Sequence, residues 1–270
     1  MRAGDHAGRV LAVLGGADAA RSVVAASWRR CLTVHQLDPE ACGPPRILTE
    51  GELRPIRETM APLVRAAEGV LDRLFLAVGD AGCCVLLTDP QGVPAARRGV
   101  SVDDEAFRRA GLWVGAVWSE ATAGTNGIGT CLAEQRPLTI HHDQHFHTRN
   151  IGLSCTVSPV YDHLGRLAGA LDVSSCRSDM ADSAVGLVAA AVLDAARRIE
   201  GRAFRQAFEA ARIVLLGEDT VADRPSSPLL AVDADDRIIG ASRAARLALR
   251  LTDEILARGL PAADVIAPSA

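Results

Sequence analysis

The stretch from residue 154 to 173 constrains the fold more than any other part of the chain. Ser154 to Tyr161 reads as one strand, Asp162-His163-Leu164-Gly165 as a turn, and Arg166 to Val173 as the return strand. Strands joined by so short a turn pair antiparallel. A lone two-stranded ribbon is barely stable in water, so other elements must cover it. Cys83 to Thr88 offers another short apolar run, closed by the turn residues Asp89-Pro90-Gln91-Gly92.

The covering elements are helical. Residues 17–36 place Val23, Val24, Trp28 and Leu32 at helical spacing, and Asp38-Pro39 and Gly43-Pro44-Pro45 end that helix. Thr49 and Glu52 have capping-box spacing. Leu53, Ile56, Met60, Leu63, Ala67, Val70 and Leu74 then form an apolar stripe, in which Pro55 and Pro62 predict a kink or a late start. A short helix is expected around Asp103–Gly111, inside an irregular excursion over 95–150. A long helix over 180–212 carries Val185, Val188, Val192, Ala195, Ile199 and Ala203 on one stripe. This order predicts an α+β fold, an antiparallel sheet with helices packed on it. The expected segments are an N-terminal helical segment at 1–48, the main domain at 49–212, a linker at 213–228 and a partial second domain at 229–270. The last shows strand residues Leu229 to Val232, the turn Asp233-Ala234-Asp235-Asp236, a second strand from Arg237 to Gly240, and a helix from Ser242 to Leu251.

Composition excludes several functions. All 29 basic residues are arginine, so the chain has no lysine for a phosphate-binding P-loop or a Schiff base. A net charge of −4 gives no nucleic-acid footprint. No apolar run approaches the ~18 residues of a membrane span, and the N-terminus, which carries Asp5, lacks a leader pattern. Direct contact with nucleic acid or membrane is therefore not expected, and the expected location is the cytoplasm. The seven cysteines form no CxxC pair. Their expected roles are buried small hydrophobes, redox groups or ligands, not disulfides.

Chemistry-bearing residues concentrate between Trp118 and Cys155. Gly124-Thr125-Asn126-Gly127-Ile128-Gly129-Thr130 suits either a tight turn entering a helix packed close to the sheet or a cradle for an anion. Four of the seven histidines lie in His141-His142-Asp143-Gln144-His145-Phe146-His147. His141 and His145, or His145 and His147, with Cys155 or Asp143, would make a metal set, although the spacing matches no established motif. Cys83, Cys84, Cys131, Cys155 and Cys176 allow a redox thiol, provided a cation or helix end lowers its pKa. Ser154 lacks a G-x-S-x-G elbow, and Asp172 has no evident partner in the sequence.

Taken together, these residues resemble a family. Ser27-Trp28-Arg29-Arg30-Cys31-Leu32 with Leu37-Asp38-Pro39 is similar to the N-terminal segment of acetoin-catabolism-type activators, which are sigma-54-dependent regulators of the Fis type. Trp118-Ser119-Glu120, Gly124 to Thr130, Cys131-Leu132-Ala133-Glu134, Arg136 to His141, His145-Phe146, Arg149-Asn150, Gly152 to Cys155 and Leu171 to Ser175 resemble the GAF sensory domain of that family. Leu229 to Leu249 resembles, more faintly, the start of a PAS-like segment.

The resemblance implies a GAF-like antiparallel sheet of about six strands flanked by helices, with terminal helices that pair between subunits. It implies a non-enzymatic module, without cofactor or metal, that binds a small organic effector between the sheet and the 110–155 excursion. Trp118 would give apolar wall; Asn126, Thr130 and His141 would offer hydrogen bonds; His145 and Cys155 would complete the lining. Transcription machinery would be reached only through an ATPase and a DNA-binding unit that this chain does not carry, so it is expected to be a sensory fragment or a truncated paralogue. Gln144 stands where the family often has Glu, which removes one anionic ligand from any metal set. The alternatives are a cysteine-dependent reductase of GAF fold using Cys83, Cys84 and Cys131, a metal or redox sensor using His141, His145 and Cys155, and a purely structural dimerisation module.

Overall fold

The computed structural model describes residues 3–15, 22–41, 43–176, 182–217 and 227–265. Two N-terminal helices, α1 (Ala3–Ala12) and α2 (Val23–Thr33), precede the long α3 (Glu50–Val78). Strands β1 (Cys83–Thr88) and β2 (Pro94–Arg98) lead into the excursion, which holds α4 (Asp104–Ala110), α5 (Glu120–Ala123) and α6 (Gly127–Glu134). Then come β3 (Leu138–His141), β4 (Ser154–Tyr161), β5 (Leu167–Ser175) and α7 (Asp182–Ala207). A smaller lobe follows with β6 (Arg212–Leu215), β7 (Leu229–Val232), β8 (Arg237–Ala241), α8 (Arg243–Leu249), α9 (Asp253–Ala257) and the two-residue β9 (Leu260–Pro261).

The first sheet runs β2-β1-β5-β4-β3, wholly antiparallel. Five strands are present among the described residues, against about six expected. Alternation along each strand sorts side chains into two cores. Cys83, Val85, Leu87, Leu171 and Val173 face α3 and α7, where they meet Leu63, Val70, Leu74, Val192 and Ile199. Cys84, Leu86, Cys155, Val157 and Ala170 face the excursion, where they meet Phe107, Leu112, Trp118, Ile128 and Leu153.

Thr49 caps α3 with the full box, its backbone N–H donating to Glu52 at 2.8 Å. The helix then runs without a break through Pro55 and Pro62. Each proline removes one backbone bond. The apolar stripe from Leu53 to Val78, buried along the sheet, outweighs those losses, because tertiary burial supplies most of a helix's stability.

The segment expected to be linker needs correction at its start. Residues 212–215 form β6, which pairs with β7 from Arg212↔Val232 to Leu215↔Leu229. Ile213-Val214-Leu215 is an apolar, partly β-branched run that suits a half-buried strand, and it packs with Phe204, Phe208 and Leu229. The rest of that stretch, 218–226, lies outside the described residues. The lobe has its own core of Leu230, Val232, Ile238, Ala241 and Ala245, in a sheet ordered β6-β7-β8-β9.

The glycines of the excursion are needed for close approach. A Cβ on Gly127 would sit 2.5 Å from Cys155 Cβ and 2.7 Å from Val157 Cγ2. Gly124, at φ +64°, would carry one 2.6 Å from Phe146. Gly127→Ala is therefore expected to destabilise the protein by about 1–3 kcal/mol. Gly186→Ala, on α7 with nothing within 4 Å, should stabilise it by about 0.5–1 kcal/mol. Urea denaturation of both variants checks the pair; equal effects would contradict the close-packing argument.

Candidate functional site

The excursion is fastened from outside by the N-terminal helices. Ser22 caps α2, which then directs Ser27, Trp28 and Cys31 inward. The Ser27 hydroxyl donates to Glu120 Oε1 at 2.5 Å and lies 2.6 Å from the Thr125 hydroxyl. Arg30 grips the same carboxylate through Nε and Nη2, both at 3.0 Å, and reaches Glu134 at 2.8 Å. Glu120 is 6% exposed, so its charge depends on this clamp. The Trp28 indole donates to Gln144 O at 2.9 Å. Val10, Trp28, Cys31 and Phe146 pack together, and His6 meets the edge of Trp28.

Beneath the excursion, the sheet face carries polar groups in an apolar setting. One cross-sheet row reads Arg97, Leu86, Asp172, Val157, Leu138, and the next reads Cys84, Ser174, Cys155, Ile140. Asp172 is fully buried. Its Oδ2 accepts a 2.7 Å hydrogen bond from Ser174, and its Oδ1 has no partner among the described residues. Burial pushes its carboxyl up to about 7, against the pull of the Ser174 hydroxyl. Two strand spacings away, about 10 Å, Arg97 stacks on Trp113 at 4.0 Å and lies 2.9 Å from Asp104, while its buried Nε lacks an acceptor. Arg108 also lies over the Trp113 ring, at 3.9 Å. Buried polar atoms in native proteins are normally paired, and these two are not paired with any described residue.

The six residues expected to line a pocket have different fates. His145 and Cys155 are brought together: both are buried, with His145 Nε2 at 3.5 Å from Cys155 Sγ. Trp118 lies in the same core, its indole donating to Gly111 O at 2.7 Å. Asn126 is corrected from ligand donor to scaffold. Its amide donates to Trp118 O and Gly124 O at 3.0 and 2.8 Å, and its oxygen caps α6 at Gly129 N, so both N–H donors are taken and none is left for a guest. Thr130 faces Ser27 at 3.3 Å, on the clamp side. His141 is at the sheet edge, 2.9 Å from the Ser154 hydroxyl.

Electrostatics favour neutral groups here. Burial lowers His145 and His147 to about 4 and keeps both uncharged at neutral pH. Burial raises the Cys31 and Cys176 thiols to about 11, and raises Cys84, Cys131 and Cys155 further. A reactive thiol needs the opposite shift. Among the described residues no group of three or more His, Cys, Asp or Glu converges around an ion position. Sequence reasoning missed Asp172, Ser174 and Arg97 as a set. The available signal was an aspartate inside the apolar strand Leu171-Asp172-Val173, with its alternation pointing toward the excursion.

The chain matches the family model described as MimR, N-terminal domain, over residues 10–200. It is 38% identical over 239 residues to the acetoin catabolism regulatory protein of Cupriavidus necator, covering 88% of this chain and 36% of that one. It is 26% identical to the acetoin dehydrogenase operon transcriptional activator AcoR of Bacillus subtilis, covering 85% and 37%. It is 35% identical to the propane 2-monooxygenase operon transcriptional activator MimR of Mycolicibacterium smegmatis, covering 61% and 27%. These relatives are named as transcriptional regulators, not enzymes, and the chain spans little more than a third of their length at most. The fold is similar to that in the crystal structure of the E. coli DhaR(N)–DhaL complex, with a TM-score of 0.63 at 16% identity, covering 85% of this chain and 77% of that one. Matched over most of its length, the chain belongs to the family of MimR N-terminal domains.

Proposed function

We propose that the chain is the effector-sensing module of a transcription activator, that it works in the cytoplasm, and that it is built on a GAF-like domain carrying a PAS-like lobe. One observation supports this most: a fully buried carboxyl, Asp172, keeps one oxygen unpaired on the sheet face beneath the excursion. The proposed guest is a small, mostly uncharged organic molecule. It offers a hydrogen-bond donor to Asp172 and an acceptor to Arg97, with Trp118, His145 and Cys155 bordering it. In the described residues the apolar side chains of the excursion pack onto this face, so a guest enters by displacing them. That displacement would move β5, and with it α7, which packs on the outer face. Among the described residues no helix is long and apolar enough to cross a membrane.

Calorimetric titration with small alcohols, ketones and diols tests the reading. Saturable heat with the wild-type chain, weakened about tenfold or more by Asp172→Asn through loss of an acceptor, is the expected result. Failure of a dozen such compounds to bind would remove the reading's main support.

Asp172 also predicts a pH signature. Its folded carboxyl titrates near 7, above the ~3.9 of an unfolded chain. Between those values the folded state holds a proton that the unfolded state has released, so this group's contribution to stability falls as pH rises from about 4 to 7. Glu200, raised to about 7, acts in the same direction. His145 and His147 act oppositely, because their neutral folded forms lose stability as pH drops from about 6.5 to 4. Asp172→Asn isolates one term. The variant's stability relative to wild type should rise by a few kcal/mol from pH 5 to pH 8 in urea melts; a flat difference would contradict burial of the acid.

Signalling is proposed to run through a homodimer formed by α3 and α7. Leu76 and Leu187 lie exposed on these helices at 80% and 76%. Leu76→Asp with Leu187→Asp should convert a dimer to a folded monomer, read by light scattering. A wild-type monomer at high micromolar concentration would refute the dimer.

A further inference from the structure

We propose that the cleft between α7 and the smaller lobe is a second binding site, specific for a compact oxyanion such as phosphate or a small carboxylate. It is distinct from the effector site and independent of that reading. The cleft encloses about 220 Å³, less than the roughly 300–1,000 Å³ of drug-sized ligand sites, so only a compact guest fits.

Its walls hold hydrogen-bond donors that no described acceptor meets. Arg197 on α7 and Arg243 at the start of α8 both line it. Neither makes an ion pair with a described residue. Arg243 instead lies over the Tyr161 ring at 4.1 Å, which leaves its N–H groups directed elsewhere. Ser242 Oγ already accepts from Leu229 N at 2.9 Å and Ala245 N at 3.4 Å. A hydroxyl that accepts twice still has its own proton to donate, and no described residue takes it.

The two carboxylates in the same cleft each hold backbone N–H groups, and although the charges of Arg197 and Arg243 both act on Glu200, neither arginine makes an ion pair with Asp162 or Glu200. Asp162 Oδ1 accepts from Leu164 N and Arg166 N at 2.8 and 2.9 Å. Glu200 accepts from Tyr161 N at 3.0 Å. What the cleft lacks is an acceptor that can meet two guanidinium groups and a hydroxyl at once, which is oxyanion chemistry. Because Arg197 belongs to the sensory domain and Ser242 and Arg243 to the lobe, the anion would join the two.

The test uses the 270-residue chain, titrated with inorganic phosphate and separately with malonate, by calorimetry at constant ionic strength with chloride as the reference. Saturable binding of at least one anion is expected, with Kd raised about tenfold or more by Arg197→Gln or Arg243→Gln, the loss of one charge-assisted contact. Arg197 is exposed, so its variant should melt at the wild-type temperature without ligand, and Arg243→Lys should retain part of the affinity. The two titrants distinguish a phosphate site from a carboxylate site. No saturable binding of either anion, or binding undiminished in both glutamine variants, overturns the proposal.

Discussion

Burial of β5 on both faces is the constraint on which the rest of the structure depends. It sits between β1 and β4, so no edge of it meets water. Leu171 and Val173 belong to the helix-side core, while Ala170 belongs to the excursion-side core. Every residue from Gly169 to Ser175 is buried. A strand so placed should be apolar throughout, and Asp172 and Ser174 are not. Their shared hydrogen bond satisfies one carboxyl oxygen and leaves the other in a dry setting. A buried acid of this kind is destabilising unless something else meets it, and its place on the sheet face beneath the excursion is why it serves as the anchor of the proposed sensing site.

The short motifs that mark the family do structural work in this chain. Ser27, Arg30, Glu120 and Thr125 form one clamp, buried except at Arg30, and Trp28 closes it over Gln144. The glycine-rich run answers to the same demand. Asn126 caps α6 and ties back to Trp118 and Gly124, while Gly127 and Gly129 let the helix approach the sheet and the Trp118 backbone. The reading of that run as a tight turn into a close-packed helix therefore accounts for it without a phosphate. Three separate segments of sequence are joined by this clamp. Removing Arg30 would leave the buried Glu120 carboxylate without its cation.

Burial also suppresses the chemistry that the cysteines and histidines suggest in isolation. His145 and Cys155 touch, yet desolvation holds the imidazole neutral and the thiol protonated. Neither group is poised as base or nucleophile. The same packing that makes these residues poor reagents makes them suitable walls for an uncharged guest.

The sequence by itself determined the elements with strong local codes. The β4–β5 hairpin, the Thr49 capping box, the strand Cys83–Thr88 and the long amphipathic helices follow from turn chemistry and periodicity, which act over a few residues. It also set the motifs that place the chain in its family. Local patterns misjudged the start of α3, where Pro55 and Pro62 allowed a late start but the helix begins at Glu50, and residues 212–215, whose strand exists only because β7 lies beside it. Among the site residues, the contact between His145 and Cys155 was within reach of pattern reading, since both fall in one dense segment. The roles of Asn126 and Asp172 were not. Whether an amide bonds to a guest or to its own chain, and whether a carboxylate is paired, depends on atoms many residues away. Only the tertiary structure decided that the Asn126 amide donors hold the loop and that Asp172 keeps one oxygen unpaired beneath it.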